Sequence, residues 1–156
     1  MSVEKVAQYL KKFDAQDRII QFEESSATVE LAAARLEVEP KRIAKTMSFL
    51  IGDEVILIVT AGDARVANPR YKEIFGAKAN MIKGDQVKEL TGYDIGGVCP
   101  FGNPDGVKKY LDISLKRFDT VFPAAGSAKS AVKLTPTELY EYSQALGWVD
   151  LCKDWQ

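Results

Sequence analysis

The stretch from Lys45 to Asp63, KTMSFLIGDEVILIVTAGD, constrains the fold more than any other part of the chain. Two β-rich runs, Thr46 to Ile51 and Val55 to Thr60, flank the turn residues Gly52, Asp53 and Glu54, which is the pattern of a β-hairpin. The second run, VILIV, is apolar at successive positions, so both of its faces are apolar. A strand of that kind sits at the centre of a sheet, covered on each side. The rest of the chain must supply that cover.

Helix and strand patterns alternate around the hairpin. Val3, Val6, Tyr9, Leu10 and Phe13 recur at helical spacing, with Ser2 as the expected cap. RIIQFE reads as a short strand. Ser26 or Thr28 is expected to cap the helix VELAAARL, and Pro40 to open the short helix PKRIA. NPRYKEIFG reads as a helix with Asn68 as cap, Pro69 at its first position and Gly76 as its stop. KANMI is predicted as a short strand, and Asp85 as the cap of QVKELTG. VKKYLDISL, DTVFPAAG and AVKL follow as strands, with GSAKS as a turn. Thr135-Pro136 begins a last helix, TELYEYSQALG, that places Leu139, Tyr142 and Leu146 on one face. No repeat or linker interrupts the 156 residues, so one domain over 1–156 is expected. The intermixed helices and hairpins favour a mixed α/β or α+β domain over a doubly wound parallel sheet.

The chain contains no histidine. That removes Ser-His and Cys-His nucleophile pairs, imidazole-based zinc catalysis and the usual general base near pH 7. Chemistry here rests on lysine, carboxylate, thiol, backbone dipoles or the substrate's own groups. The net charge of −1 gives no global basic field for DNA or RNA, so any basic surface must be local. No apolar run is long enough to span a membrane, and no signal peptide is visible at the start. Two cysteines, Cys99 and Cys152, cannot build a disulfide framework, and a reducing cytoplasm is the expected setting.

Four places carry candidate chemistry. The loop GGVCPFG, from Gly96 to Gly102, has the glycines that let backbone amides approach a ligand and a proline that restricts Cys99. It reads either as an oxyanion-binding loop or as a tight helix-to-strand connection. Cys99 itself reads either as a nucleophile or as a small buried hydrophobe. Lys45, at the start of the hairpin, reads either as a point charge projecting into a cleft or as a solvated surface lysine, the commoner case. Thr60, Asp63 and Arg65 end the central strand, where a ligand site and a plain turn are equally compatible. AAGSAKSAV, from Ala124 to Val132, is a second small-residue turn, lying beside the first loop or simply closing a hairpin. The cations Lys41, Arg42, Lys108, Lys109, Lys116, Arg117, Lys129 and Lys133 are scattered through the chain.

Taken in order, RIAKTMSFL, GGVCPFG, YLDISLKRFDTVFPAAGS and KLTPTEL resemble the YbaK and prolyl-tRNA-synthetase-associated editing domain family, from about Ser25 to Ser143. The resemblance implies a compact mixed α/β domain with a barrel-like sheet and no metal or organic cofactor. It implies an aminoacyl-tRNA deacylase acting on the acceptor end of mischarged tRNA, notably tRNA for proline carrying alanine, cysteine or serine, with prolyl-tRNA synthetase as a possible partner. Lys45 matches the family's central lysine, with Thr46 beside it. Gly96, Gly97, Val98, Cys99 and Pro100 match its glycine-to-proline loop, and Gly126 and Ser127 its small-residue turn. Thr60 and Asp63 join Thr46, Gly126 and Ser127 as expected substrate contacts. A non-catalytic tRNA- or partner-binding module and a small aminoacyl-ester hydrolase are the alternatives.

Overall fold

The computed structural model describes residues 2–24 and 28–155. Its centre is the expected hairpin. Strands β2 (Ile43–Ile51) and β3 (Glu54–Ala61) pair antiparallel in a register that sets Lys45 opposite Thr60 and Ile51 opposite Glu54. Gly52, with φ +59°, allows the tight reversal between them.

The order of the main sheet explains why VILIV is apolar throughout. Strands β5 (Lys108–Asp112), β6 (Phe122–Pro123) and β8 (Trp148–Val149) join the hairpin in the order β6-β2-β3-β5-β8. β3 is therefore central, and Ile56, Leu57, Ile58 and Val59 are all buried. The β2–β3 pair is antiparallel, and the β6–β2, β3–β5 and β5–β8 pairs are parallel, so the sheet is mixed. Two small sheets sit at its ends: β1 (Ile19–Gln21) with β7 (Ser130–Val132), and β4 (Arg65–Val66) with β9 (Cys152–Lys153).

Helices cover the sheet through side chains placed by their spacing. α1 (Ser2–Leu10) buries Val6 and Leu10. α2 (Val29–Leu36) is capped by Thr28, whose hydroxyl accepts the Leu31 amide at 3.1 Å. α3 (Asn68–Phe75) inserts Tyr71 between Phe49 and Phe75, with ring centroids 5.1 and 4.9 Å away. α4 (Gly84–Thr91) packs Val87 on Val55 and Ile82. α5 (Pro136–Ser143) begins with a capping box, in which Thr135 and Glu138 satisfy each other's backbone amides at 3.1 and 2.9 Å.

Several local expectations change. KANMI is not a strand: only Met81 bridges Phe49, with Asn80 O accepting the Leu50 amide at 2.9 Å and Ser48 O accepting Ile82 at 3.1 Å. The segment is cut short because α4 starts at Gly84. Ala67 and Lys83 occupy the caps of α3 and α4, so Asn68 and Asp85 lie inside their first turns. α5 stops at Ser143 because Gln144 turns left-handed at φ +57°, and Leu146 is exposed rather than on the apolar face. Ser2 opens α1; its side chain and Ser26 lie outside the described residues.

Candidate functional site

A cavity of about 360 Å³ lies against β2. β2 contributes Lys45, Thr46 and Ser48 to its lining. Val29 and Ala32 of α2, Phe122 of β6 and Ser130 of β7 line one part, and Ile82, Val87 and Ile95 another. Gly96 and Val98 bring in the glycine loop. Two candidates far apart in sequence, Lys45 and the GGVCPFG loop, thus share one concave space.

Lys45 is half-buried on β2. Burial lowers the pKa of its ammonium, and the positive Arg65 lowers it further; Cys152, Asp63 and Glu30 act in the opposite direction. Asp63 does not line the cavity. Its carboxylate is gripped by Arg117 through two hydrogen bonds of 2.6 and 3.0 Å, so the Asp-Arg pairing of this turn is with Arg117 and not Arg65. Thr60 is fully buried opposite Lys45, outside the cavity lining, and its hydroxyl donates to Ala61 O at 3.3 Å. Beside Lys45, Thr46 Oγ1 is buried with no hydrogen-bond partner among the described residues. Buried hydroxyls are normally hydrogen-bonded, and this one stands at a cavity wall.

The loop owes its shape to a short list of contacts. Gly97 N–H donates to Asp94 O at 2.9 Å, closing a turn whose third residue, Gly96, has φ +89°. Cys99 and Phe101 are fully buried behind that turn, and Pro100 is buried between them. Asn103 Nδ2 donates to Cys99 O at 3.0 Å and to Thr91 O at 2.8 Å, and the Tyr93 hydroxyl donates to Phe101 O. Burial pushes the Cys99 thiol up to about 12, against the smaller opposing influence of the neighbouring Phe101 and Gly126 backbone. It is a packed thiol, and its burial disfavours the thiolate that a nucleophile would need.

The second small-residue turn lies against the first. A Cβ on Gly97 would stand 2.6 Å from Ser127 Cα and 2.7 Å from Gly126 O, so the two backbones touch. Gly126 has φ +95°, which only glycine adopts without strain. Ser130 Oγ accepts the Ser127 amide at 3.2 Å and donates to Ser127 O at 3.0 Å, fixing the turn from inside.

Residues 23–142 match a sequence model of the family described as "Aminoacyl-tRNA editing domain". The chain belongs to this family. The editing domain is 50% identical over 157 residues to "Uncharacterized protein YwhH" of Bacillus subtilis (strain 168), with both chains fully covered. It is 26% identical over 113 residues to the proline--tRNA ligase of Bacillus cytotoxicus (strain DSM 22905 / CIP 110041 / 391-98 / NVH 391-98), a match covering 69% of this chain and 19% of that enzyme. A solved structure of a protein proposed as a trans-editing enzyme for prolyl tRNA synthetase superposes with a TM-score of 0.89 at 26% identity, over 97% of both chains. The mixed α/β fold expected from the sequence is the fold of that structure.

Within the editing domain, the candidate residues divide into three groups. Lys45, Thr46, Gly96 and Val98 line the cavity. Gly97, Cys99, Pro100, Gly126 and Ser127 form the interlocked layer behind it. Thr60 and Asp63 lie outside the lining. Ser130, Val29, Ala32 and Phe122 line the cavity without having been singled out from the sequence. Small and apolar residues give no chemical signal of their own; only the GSAKS turn hinted at Ser130. Among the described residues no helix is long and apolar enough to cross a membrane.

Proposed function

We propose that this editing domain acts in trans as a deacylase, hydrolysing the ester of mischarged tRNA, with tRNA for proline carrying alanine, cysteine or serine as its substrate class and the cytoplasm as its setting. The observation that carries this reading is the single cavity that joins Lys45 and Thr46 to Gly96 and Val98. Its volume, about 360 Å³, is at the small end of ligand sites and suits an aminoacylated terminal nucleoside rather than a duplex. The likeness to proline--tRNA ligases and to a proposed trans-editing enzyme supports the choice of tRNA.

An aminoacyl ester is already activated, so orientation and a stabilised oxyanion supply most of what hydrolysis needs. Lys45 anchors the terminal phosphate or the aminoacyl group as a point charge. The Gly97 amide is committed to Asp94, which leaves Gly96 and Val98 as the cavity-lining amides of the loop for the carbonyl oxygen; among the described residues neither donates to a backbone carbonyl. Water attacks the ester carbon, assisted by the substrate's ribose hydroxyl or amino group. Cys99, buried and protonated, takes no covalent part. The apolar walls, including Val29, Ala32 and Phe122, favour a small side chain, and a missing methylene discriminates by only about 1–3 kcal/mol.

The test is a deacylation panel of tRNA for proline charged with alanine, cysteine, serine and proline, run with the intact protein and with Lys45→Ala. The intact protein is expected to release the small non-cognate residues and spare proline, and Lys45→Ala to lose about 100-fold or more in turnover while keeping its fold. Saturable tRNA binding without release of any amino acid overturns the enzymatic reading. Equal turnover of short aminoacyl esters, whatever the tRNA body, overturns the choice of substrate.

A further inference from the structure

Outside the cavity, Lys5 and Lys12 are exposed cations held against aromatic rings. Lys5 and Lys12 project from α1 and the short helical turn that extends it, Lys11–Phe13. Lys5 Nζ lies over the Tyr93 ring, 4.7 Å from its centroid, and Lys12 Nζ over Tyr9 at 4.1 Å and Phe13 at 5.2 Å. The rings hold both ammonium groups at the surface without neutralising them.

Lys109 of β5 belongs to the same group. Phe13 stacks on Tyr142 with centroids 4.5 Å apart, and Leu146, four residues further on, donates its amide to Lys109 O at 2.7 Å. The segments that carry Lys12 and Lys109 therefore both meet the stretch of chain from Tyr142 to Leu146. Their charges act on each other, since Lys12 adds to the burial that lowers the pKa of Lys109. Among the described residues no carboxylate lies within 4.0 Å of Lys5, Lys12 or Lys109, whereas neighbouring Lys108 is paired with Glu54 at 3.0 Å. Like charges that act on each other cost stability. A polyanion would remove that cost.

The group also adjoins the loop of the cavity. Lys5 Nζ would stand 2.8 Å from a Cβ on Gly92, the residue that ends α4 before the loop, and Tyr93 beneath it bonds to Phe101 of the loop. Lys5 and Lys12 precede the matched family segment, which starts at residue 23. The chain as a whole has a net charge of −1, so this patch is a local feature and not a sample of a basic surface.

We propose that Lys5, Lys12 and Lys109 form an RNA-backbone contact surface that receives phosphates of the acceptor stem while the aminoacyl terminus occupies the cavity. The placement of the terminus rests on the function proposed above; the contact with RNA does not. Such contacts supply affinity without reading sequence and are lost as salt rises.

The experiment measures binding of uncharged tRNA across a series of KCl concentrations, with intact protein, Lys12→Gln/Lys109→Gln, and Lys12→Arg/Lys109→Arg. Uncharged tRNA makes the readout independent of catalysis. The Gln pair is expected to weaken binding and to reduce the salt slope by about 2, roughly one per lysine. The Arg pair is expected to keep the slope, which separates loss of charge from a packing defect. With mischarged tRNA the Gln pair should raise KM and leave kcat unchanged. Unchanged affinity and slope in a folded Gln pair overturns the surface. So does a loss of slope in the Arg pair equal to that in the Gln pair, or binding of the intact protein to anionic lipid vesicles but not to tRNA. A protein that binds tRNA through these lysines yet hydrolyses nothing keeps the surface and overturns only the deacylase.

Discussion

Gly97 and Gly76 separate two reasons for which a chain needs glycine. Gly76 ends α3 at φ +71°, and a Cβ there would meet nothing within 4 Å. Gly97 has no such left-handed backbone, but its Cα rests on Gly126 and Ser127. Alanine at Gly76 is expected to cost about 1–2 kcal/mol of stability through backbone strain and to leave deacylation unchanged. Alanine at Gly97 cannot be accommodated unless the loop or the facing turn moves, and both are backbone. It is expected to lower turnover at least about 10-fold, since small displacements at a site cost heavily. Thermal denaturation and deacylation measured on both variants check the contrast; equal activity in the two would show that the interlock does not shape the cavity. Sequence showed that Lys45 and the GGVCPFG loop were unusual. It could not show that the Gly97 amide is already bonded to Asp94, or that Asp63 pairs with Arg117, because each depends on which backbone or side chain arrives from a remote segment. Cys99 is the same kind of case: its type allows a buried or an accessible thiol, and only the packing of remote segments shows that it is buried.

At the scale of elements, what was legible followed from local chemistry. The hairpin, α2 with Thr28, and α5 with Thr135 each combine a periodic run with a stop or cap residue. The capping box of α5 makes this quantitative. Thr135→Ala removes the acceptor of the Glu138 amide but keeps the backbone N–H of residue 135 that donates to Glu138 Oε1, so one half of the box is lost. A cost of about 1 kcal/mol is expected in denaturant unfolding, with no change in deacylation, because α5 does not line the cavity. Elements of tertiary origin were not legible. β8 and β9 are two residues each and exist because β5 and β4 offer them partners. KANMI has the residues of a strand but makes only one bridge to β2, at Met81, before α4 begins at Gly84.

The whole molecule extends past the segment that defines the family. The match ends at residue 142, yet β8 joins the main sheet and β9 pairs with β4, next to the strand pair that holds Lys45. Two polar residues tie this C-terminal segment to the core. Asp112, fully buried, accepts the amides of Leu151 and Ser114, each at 3.0 Å. Arg117 donates to Trp155 O at 2.6 Å, to Ser114 O at 2.8 Å and to both oxygens of Asp63, and its guanidinium lies 4.9 Å from the Trp155 ring centroid. One planar fork thus joins the end of the chain to the turn after β3, a geometry that a lysine ammonium cannot reproduce. Arg117→Ala leaves Asp63 and the Trp155 carbonyl without this donor, and a loss of about 2–3 kcal/mol is expected, the scale of hydrogen bonds to charged groups. The loss should be local first: amide exchange across residues 148–155 should quicken well before that of β3, whose strand is buried on both faces. Arg117→Lys should restore only part of the protection. Uniform quickening throughout the chain would mean that the C-terminal segment opens only with the whole domain, and that Arg117 supports the core and not a separable clasp.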